Sequence, residues 1–249
     1  MYRNFIVLLP LLFIHYTTEA QSKNKQPNVI VILADDLGWA DLGSYGSTFY
    51  ETPNLDKLAS NGIRFTQNYA TCPVCSPTRA SMMTGKYTVK TGVTDWIKGR
   101  QEDGKAMPYE KLIAKPTAYQ LALEEKTIAE YAVTNNYKTF FAGKWHLGDE
   151  PEYRPDRRGF EEVFIHGGGG IGQSYPGSLG DAPGNGYFDP YILHNGKFVK
   201  TDGYCTDVFY QQATSWMDAQ RRSGKPFFAY IPTNAPHAPY TARPEDAAL

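Results

Sequence analysis

Three hydrophobic segments of the chain are each followed closely by side chains that bind metals, anions or protons. Asp35 and Asp36 follow the first, Lys144 and His146 the second, and His237 the third. Adjacent carboxylates are ligands for a hard divalent cation, lysine binds oxyanions, and histidine transfers protons near neutral pH. Each group also occurs in ordinary solvated loops, so its meaning depends on whether the fold brings all of them together.

A fourth candidate is the motif Cys72-Pro-Val-Cys75. Such a Cys-x-x-Cys pair is compatible with a redox centre or with half of a zinc site. The chain has 3 Cys in total, no second Cys-x-x-Cys and no clustered pair of histidines, which leaves a zinc tetrahedron incomplete. A thioredoxin-like centre needs a different context of strand and helix, so neither role is favoured.

The residues after this motif predict the start of a helix. Proline suits the first helical turn, so Pro77 places Ser76 as the expected N-cap of a helix that runs to Gly85. Cys75 then lies against the helix start, where free backbone N–H groups and the helix dipole favour an anion. Arg79, one turn in, adds a fixed cation. A nucleophile at an anion site, near two carboxylates, predicts attack on a bound oxyanion ester.

The hydrophobic segments themselves are predicted to be strands of one parallel-type sheet. The run 28–33 is a continuous β-branched segment, which predicts a fully buried strand. Further strands are predicted over Thr139–Ala142 and over 226–231, the last ending at Pro232. Ligands of open α/β sheets bind at the carboxyl ends of the strands. All of the candidate groups are therefore expected at one edge of the sheet.

Capped helices alternate with these strands. A short helix is predicted over Pro53–Gly62, with Asn54 as its cap, followed by a strand-like segment over 63–65. Thr127-Ile-Ala-Glu130 matches a capping box, and its helix is expected to run to about residue 135 or 136. This alternation predicts the fold class: an α/β sandwich with a large, mostly parallel sheet flanked by helices.

The stretch from Gly167 to Gly203 has a different composition. It contains four consecutive glycines at 167–170, two Pro-Gly pairs and many aromatic residues without any period. This pattern predicts a long surface excursion of the kind that carries function in compact domains. The glycines do not match a phosphate-binding loop, because no strand, Lys-Ser/Thr or helix start frames them.

The first twenty residues predict a cleavable export signal. Arg3 supplies a positive charge, an apolar run covers Phe5–Ile14, and Ala20 is a small residue at the expected cleavage point. The run is interrupted by Pro10 and is too short to cross a bilayer, which requires about 20 residues. The mature protein is therefore expected to be periplasmic or secreted without a stable membrane anchor, with a polar linker over 21–26.

The composition excludes two classes of protein. The 249 residues carry 25 Lys+Arg and 26 Asp+Glu, a net charge of −1, which gives no basic surplus for binding nucleic acid. The chain is 41% hydrophobic, enough for a sizeable core and too much for an intrinsically disordered protein. A single domain is expected over 27–249.

Taken together, the motifs resemble those of the sulfatase family, whose fold is an alkaline-phosphatase-like α/β sandwich. Cys75-Ser-Pro-Thr-Arg79 matches the family's Cys-x-Pro-x-Arg signature, Gly143–Gly148 matches its second signature, and Asn28–Gly38 resembles its amino-terminal metal strand. The similarity runs from about Pro27 to the last residue. It implies that a formylglycine-generating maturation enzyme converts Cys75 to Cα-formylglycine, which argues against a thiol–disulfide role together with Cys72.

The resemblance also implies a role for each site residue in the hydrolysis of a sulfate ester. The hydrated aldehyde at residue 75 would be the nucleophile and, with Asp35 and Asp36, a ligand of calcium or alternatively magnesium. Arg79 would stabilise the hydrate, Lys144 would bridge hydrate and sulfate, His146 would be the base that assists sulfate expulsion, and His237 would bind sulfate beside the leaving oxygen. Aromatic loops at 96–119 and 167–203 make a sulfated carbohydrate the hypothetical substrate.

The chain departs from the family pattern in one respect. The family completes its metal site with a later Asp-Asn or Asp-His pair and adds a further lysine, and no such residues lie between His237 and Leu249. The resemblance thus leads us to expect that the smaller carboxyl-terminal domain of the family is absent too. The expectation is thus an incomplete amino-terminal part, inactive on its own. A phosphate or phosphonate monoesterase of the same superfamily and a truncated, non-catalytic module are the alternatives.

Overall fold

The sheet and its flanking helices are seen in a computed structural model that describes residues 26–98, 108–112, 116–173, 177–182 and 186–248. The predicted export signal lies outside the described residues, as does the linker except for Gln26. The strands are β1 (Val29–Asp35), β2 (Lys138–Gly143), β3 (Glu162–Ile165), β4 (Tyr191–His194), β5 (Lys197–Lys200) and β6 (Phe227–Pro236).

Helices lie between most of these strands. The α-helices are α1 (Pro53–Ser60), α2 (Cys75–Thr84), α3 (Thr88–Thr91), α4 (Ile128–Thr134), α5 (Cys205–Ser223) and α6 (Pro244–Ala247). Short 3₁₀ turns cover Trp39–Asp41, Gly43–Tyr45, Pro151–Tyr153 and Pro155–Arg157. In the described part of the chain, no helix combines the length and the apolar character that crossing a membrane requires.

The strands form one mixed sheet in the order β1-β6-β2-β3-β4-β5. β6 pairs in parallel with β1 on one side and with β2 on the other, and β3 continues the parallel part. β4 and β5 add an antiparallel edge. Because β1, β2 and β6 are adjacent and parallel, their carboxyl ends converge. The expected mostly parallel α/β class is confirmed.

Two hydrophobic layers cover the two faces of the sheet. Side chains alternate between the faces along each strand, so Phe141 and Tyr230 pack on the face covered by α2 and α4. Phe140 and Phe227 point to the opposite face, where they pack in the layer that contains Phe209 of α5. The long helix α5 therefore closes one side of the sandwich, and the shorter helices close the other.

β1 is not the fully buried strand that its sequence predicts. Within the described residues it has a sheet neighbour on one side, β6, and Ile30 and Ile32 remain 48% and 47% exposed. Val31 and Leu33, on the other face of the strand, pack against the core. The β-branched run indicated a strand correctly, but a run of this kind does not distinguish a central strand from an edge strand.

The boundaries of two other elements differ from those predicted. α1 has Thr52 as its N-cap instead of Asn54, because Pro53 occupies the first helical turn and shifts the cap to the preceding residue. The residues at 63–65 form no strand, and Ile63 and Phe65 are exposed. No described strand pairs with them.

β6 extends beyond its predicted end at Pro232. Proline removes only a donor, and the Pro232 carbonyl still accepts a hydrogen bond from the backbone N–H of Lys144 at 2.9 Å. Gly143 makes this approach possible: a Cβ at that position would lie 1.9 Å from the Pro232 carbonyl oxygen. The strand therefore continues and carries its last residues to the site edge.

The stretch from Gly167 to Gly203 is not the surface excursion that its composition predicts. It contains the hairpin of β4 and β5, and residues 166–171 are buried. Asn195 and Gly196 form the hairpin turn, both with positive φ. Asn-Gly between two short strands is a signal typical of a tight hairpin, and the composition of the whole stretch does not reveal it.

The capping box at α4 is confirmed. Glu130 N–H donates to Thr127 Oγ1 at 3.1 Å, and Thr127 N–H donates to Glu130 Oε2 at 2.7 Å. The Thr127 hydroxyl also donates to the Arg158 carbonyl at 2.8 Å, which ties the helix start to the following segment. The helix ends at Thr134, one residue before the earlier of the predicted ends.

Replacing this cap should destabilise the fold. We expect Thr127→Ala to lower the free energy of unfolding by about 1–2 kcal/mol, because the helix start and a buried carbonyl both lose a partner. Thr134→Ala, at the exposed end of the same helix, is the matched control and should change it by less than about 0.5 kcal/mol. Urea unfolding of both variants measures the difference, and equal effects would contradict the assignment.

Candidate active site

The centre of the site is a buried carboxylate held between two cations. Asp35, at the end of β1, contacts Arg79 Nη2 through Oδ1 at 3.0 Å and Lys144 Nζ through Oδ2 at 2.6 Å. The side chains of both cations are 1% exposed and that of Asp35 is 6% exposed. Three segments that are far apart in sequence, β1, α2 and the exit of β2, therefore meet at one carboxylate.

Burial and charge act in opposite directions on these groups. Burial raises the pKa of Asp35, but the neighbouring Arg79 and Lys144 outweigh it, so the pKa is lowered overall. For Lys144, burial and the nearby Arg79 lower the pKa, and the attraction of Asp35 compensates only in part. The cluster therefore keeps its carboxylate ionised and makes its lysine readier to release a proton than an exposed lysine.

Arg79 fixes the helix α2 to the rest of the site. Its Nη1 donates to the Lys144 carbonyl at 2.6 Å, in addition to the contact with Asp35. The guanidinium is planar and its N–H donors have a fixed arrangement, so the two acceptors, the Lys144 carbonyl and Asp35 Oδ1, define its orientation. The first residue of α2 is Cys75.

The cap of α2 differs from the prediction. Val74 is the N-cap and Cys75 is the first helical residue, whereas Ser76 lies inside the helix and accepts a hydrogen bond from the Ile97 N–H at 3.1 Å. Cys75 remains at the helix start, where free N–H groups favour an anion. It also lies close enough to Arg79 and Lys144 to interact electrostatically with both.

A cavity of about 460 Å³ opens at this point. Asp35, Asp36, Cys75 and Arg79 are among the residues that line it. The walls thus combine a nucleophile, a helix start, an arginine and two carboxylates. Such a set can hold a small oxyanion against the thiol position, or a cation against the carboxylates.

His146 is placed beside the cluster in a buried and neutral form. The ring is 3% exposed, and its Nε2 donates to the Ile97 carbonyl. Burial, followed by the positive charges of Lys144 and Arg79, lowers its pKa to about 3. Within the described residues its Nδ1 has no hydrogen-bond partner. In this arrangement, Nδ1 is the nitrogen that can accept a proton.

His237, directly after β6, is linked to Lys144 through Gln173. Its Nε2 is 3.6 Å from Asp36 Oδ2 and 3.3 Å from the amide nitrogen of Gln173, whose oxygen accepts from Lys144 Nζ at 3.0 Å. Sequence reasoning missed Gln173. Its position past the glycine run carries no pattern that indicates a site residue, and only the path of the backbone reveals it.

The carboxylates have the right chemistry for a hard divalent cation but do not complete a site. Both oxygens of Asp35 contact cationic side chains, which leaves Asp36 as the more accessible carboxylate. No group of three or more His, Cys, Asp or Glu residues within the described ranges is arranged to hold a metal ion. Calcium takes six to eight oxygen ligands. On their own, the described carboxylates therefore do not make up a calcium coordination shell.

Comparison with known proteins identifies the group to which this chain belongs. The family model named Sulfatase matches residues 27–248. The chain belongs to the sulfatase family. Its similarity to sulfatases covers nearly the whole described region, and the alkaline-phosphatase-like fold class expected from the sequence is confirmed.

Individual sulfatases resemble the chain at about one-third identity. It is 32% identical over 228 residues to the N-acetylgalactosamine-6-sulfatase of Canis lupus familiaris, covering 88% of this chain and 41% of that protein. It is 34% identical over 231 residues to the arylsulfatase of Klebsiella aerogenes, covering 90% and 46%. The chain spans less than half the length of these curated relatives.

A solved structure gives the same result for the fold. The crystal structure of Ps i-CgsB in complex with k-i-k-neocarrahexaose matches with a TM-score of 0.71 and 32% identity, covering 89% of this chain and 48% of the other. The match thus spans about half of that protein.

Removing the central carboxylate should be costly. We expect Asp35→Asn to lower the free energy of unfolding by about 3–5 kcal/mol, because it leaves two buried cations without their partner. Asp218→Asn is the matched control, since Asp218 makes an exposed pair with Arg221 on α5 and its loss should cost less than about 1 kcal/mol. Guanidinium unfolding compares the two variants. Similar losses of unfolding free energy in both would argue against a special role of the buried cluster in stability.

The buried histidine predicts a dependence of stability on pH. The unfolded state binds a proton at His146 near pH 6.5, whereas the folded state binds it only near pH 3. Because the unfolded state holds more protons in this window, the stability contributed by the neutral ring is present above pH 6.5 and is lost as the pH falls toward 3.

His146→Gln should therefore reduce the slope of stability against pH. We expect this single group to contribute up to about 1.4 kcal/mol per pH unit between pH 6 and 4. Urea unfolding of the wild type and the variant at several pH values measures the difference. An unchanged slope in the variant would show that His146 is protonated in the folded state.

Proposed function

We propose that this chain is part of a sulfuric ester hydrolase, and that it carries the nucleophile and the sulfate-binding groups. One observation supports this most directly: the buried cluster of Asp35, Arg79 and Lys144 lies beside Cys75 at the start of α2, and Asp35, Arg79 and Cys75 line one cavity. Two cations and a helix start converge on a nucleophile position. This arrangement suits a tetrahedral oxyanion.

The nucleophile in this proposal is a formylglycine made from Cys75 by a maturation enzyme. Members of the family generally use formylglycine together with a divalent metal. Cys75 is partly accessible and lies beside Arg79 and Lys144, which fits a group that must receive sulfate. The hydrated aldehyde would supply a hydroxyl that attacks sulfur as the alcohol leaves, and a second hydroxyl that allows sulfate to leave as the aldehyde forms again.

The chain's own residues would hold the substrate and move protons. Arg79 would orient residue 75, and Lys144 would contact both residue 75 and the sulfate. His237 would contact the sulfate beside the leaving oxygen. His146, neutral in the structure, would take up a proton as sulfate is expelled. Each assignment places a charged or proton-accepting group next to the position where charge develops.

A divalent cation, calcium or alternatively magnesium, belongs to the same proposal. Asp35 and Asp36 would be among its ligands, together with residue 75, and the remaining ligands would come from outside the described residues. When bound, the cation would supply positive charge for the sulfate oxygens.

Sulfated carbohydrates are the proposed substrates. The relatives include an N-acetylgalactosamine-6-sulfatase and a structure in complex with a neocarrahexaose. Exposed aromatic side chains, which can stack on sugar rings, occur close to the site: Trp39 follows Asp36 by three residues and is 76% exposed. Of the two loops expected to form the pocket, parts at 99–107, 113–115, 174–176 and 183–185 lie outside the described residues.

Export remains part of the proposal. The predicted signal over 1–20, with cleavage after Ala20, would deliver the mature protein to the periplasm or to the exterior. Sulfated glycans outside the cell would then be accessible to it. Amino-terminal sequencing of the mature protein tests the cleavage point.

The state of Cys75 provides the most direct test of the chemistry. Mass spectrometry of the peptide that contains Cys75, from the mature full-length protein produced with its maturation enzyme, should find the aldehyde instead of the thiol. Cys75→Ala should abolish turnover of an aryl sulfate, because no nucleophile remains. Cys72→Ser, three residues earlier, is the matched control and should leave the conversion of Cys75 intact.

The choice of ester provides the second test. The mature full-length protein should hydrolyse aryl sulfate faster than aryl phosphate, and it should release sulfate from at least one sulfated glycan in a panel. A preference for phosphate would favour a phosphate or phosphonate monoesterase instead. An unconverted Cys75 with no turnover of any ester would favour a non-catalytic module.

A further inference from the structure

The glycine run that follows β3 is folded directly against the site. Residues 166–171 are buried, and a Cβ added at Gly170 would lie 2.2 Å from Asn234 Oδ1 and 2.9 Å from Lys144 Cδ. A Cβ at Gly172 would lie 2.8 Å from Pro239 Cδ. Gly170 and Gly172 also have positive φ values of 82° and 76°, which residues with a Cβ rarely adopt. Glycine at these positions therefore lets the backbone approach Lys144 and the end of β6 this closely.

This close approach delivers Gln173 to a position between two site residues. Its Oε1 accepts from Lys144 Nζ at 3.0 Å, and its amide nitrogen is 3.3 Å from His237 Nε2. An ammonium group has donors only, so the amide oxygen must face Lys144 and the NH₂ group must face His237. The orientation of the amide is therefore determined by its charged neighbour.

The same orientation defines the protonation pattern of His237. Its Nδ1 is 2.6 Å from the Ala238 carbonyl, which can only accept, so Nδ1 carries the proton. Its Nε2 then accepts from Gln173. The ring is held from both sides, by a backbone carbonyl and by the amide. The Tyr187 hydroxyl adds a hydrogen bond to the His237 carbonyl at 3.1 Å, which anchors the backbone beneath the ring.

We propose that Gln173 is a positioning residue that fixes the separation and the orientation of Lys144 and His237. Both residues have a sulfate-contacting role in the proposed function, on which this inference rests. Gln173 itself needs no contact with the reacting atoms. It acts by accepting from one N–H of the Lys144 ammonium and donating to His237 Nε2, which holds the two side chains at a fixed separation.

The test compares Gln173→Met, which keeps the length of the side chain and removes both hydrogen bonds, with Gln173→Ala. Gln211→Met, at an exposed position of α5, is the matched control. In the mature full-length protein, both Gln173 variants should lower kcat for an aryl sulfate by about 10- to 100-fold and weaken inhibition by inorganic sulfate about tenfold. The control should match the wild type, and thermal unfolding should verify that all variants fold.

A second measurement does not depend on activity. In protein labelled with ¹⁵N-histidine, the Nε2 resonance of His237 should shift in Gln173→Met, which removes its donor, and should stay in place in Gln211→Met. If the wild type hydrolyses no sulfate ester, the proposed function fails and this resonance alone decides the role of Gln173. An unshifted Nε2 resonance in Gln173→Met, or wild-type kcat and sulfate inhibition in an active protein, would overturn the inference.

Discussion

The buried contact between one carboxylate and two cations is the constraint on which the rest of the site depends. Asp35 meets Arg79 and Lys144 where almost no solvent reaches them, and isolated charges at such a place would cost several kcal/mol each. The described cluster contains more positive than negative charge. An anion that binds beside it supplies the missing negative charge, so binding of an oxyanion and stability of the fold are thermodynamically linked.

Sheet topology makes this cluster possible. β6 separates β1 from β2, and its parallel pairing with both brings their carboxyl ends to one edge. Gly143 then allows the exit of β2 to lie against the Pro232 carbonyl, which sets the direction in which Lys144 leaves the sheet. Arg79 closes the arrangement from α2 by donating to the Lys144 carbonyl. Backbone pairing therefore sets where the site residues lie, and the charged contacts then join them.

Much of this arrangement could be predicted from local patterns in the sequence. The buried runs before Lys144 and His237 and the capping box at Thr127 define their elements within a few residues, because each depends on neighbours along the chain. Three features could not be predicted in the same way. The exposure of Ile30 depends on what lies beside β1, the burial of the glycine run depends on its path past Lys144, and the contacts of Gln173 depend on both Lys144 and His237. Contacts between distant segments leave no period in the sequence.

The glycine run has a consequence for how this protein tolerates genetic change. Every single-nucleotide missense substitution of a glycine codon introduces a residue with a Cβ, and at Gly168, Gly170 and Gly172 that atom would overlap a side chain already in place. These glycines carry no reactive group, yet the nearby side chains, and the positive φ at Gly170 and Gly172, restrict which residues can replace them. In a saturation mutagenesis experiment, most substitutions at these glycine positions should therefore be depleted, because each one adds a Cβ.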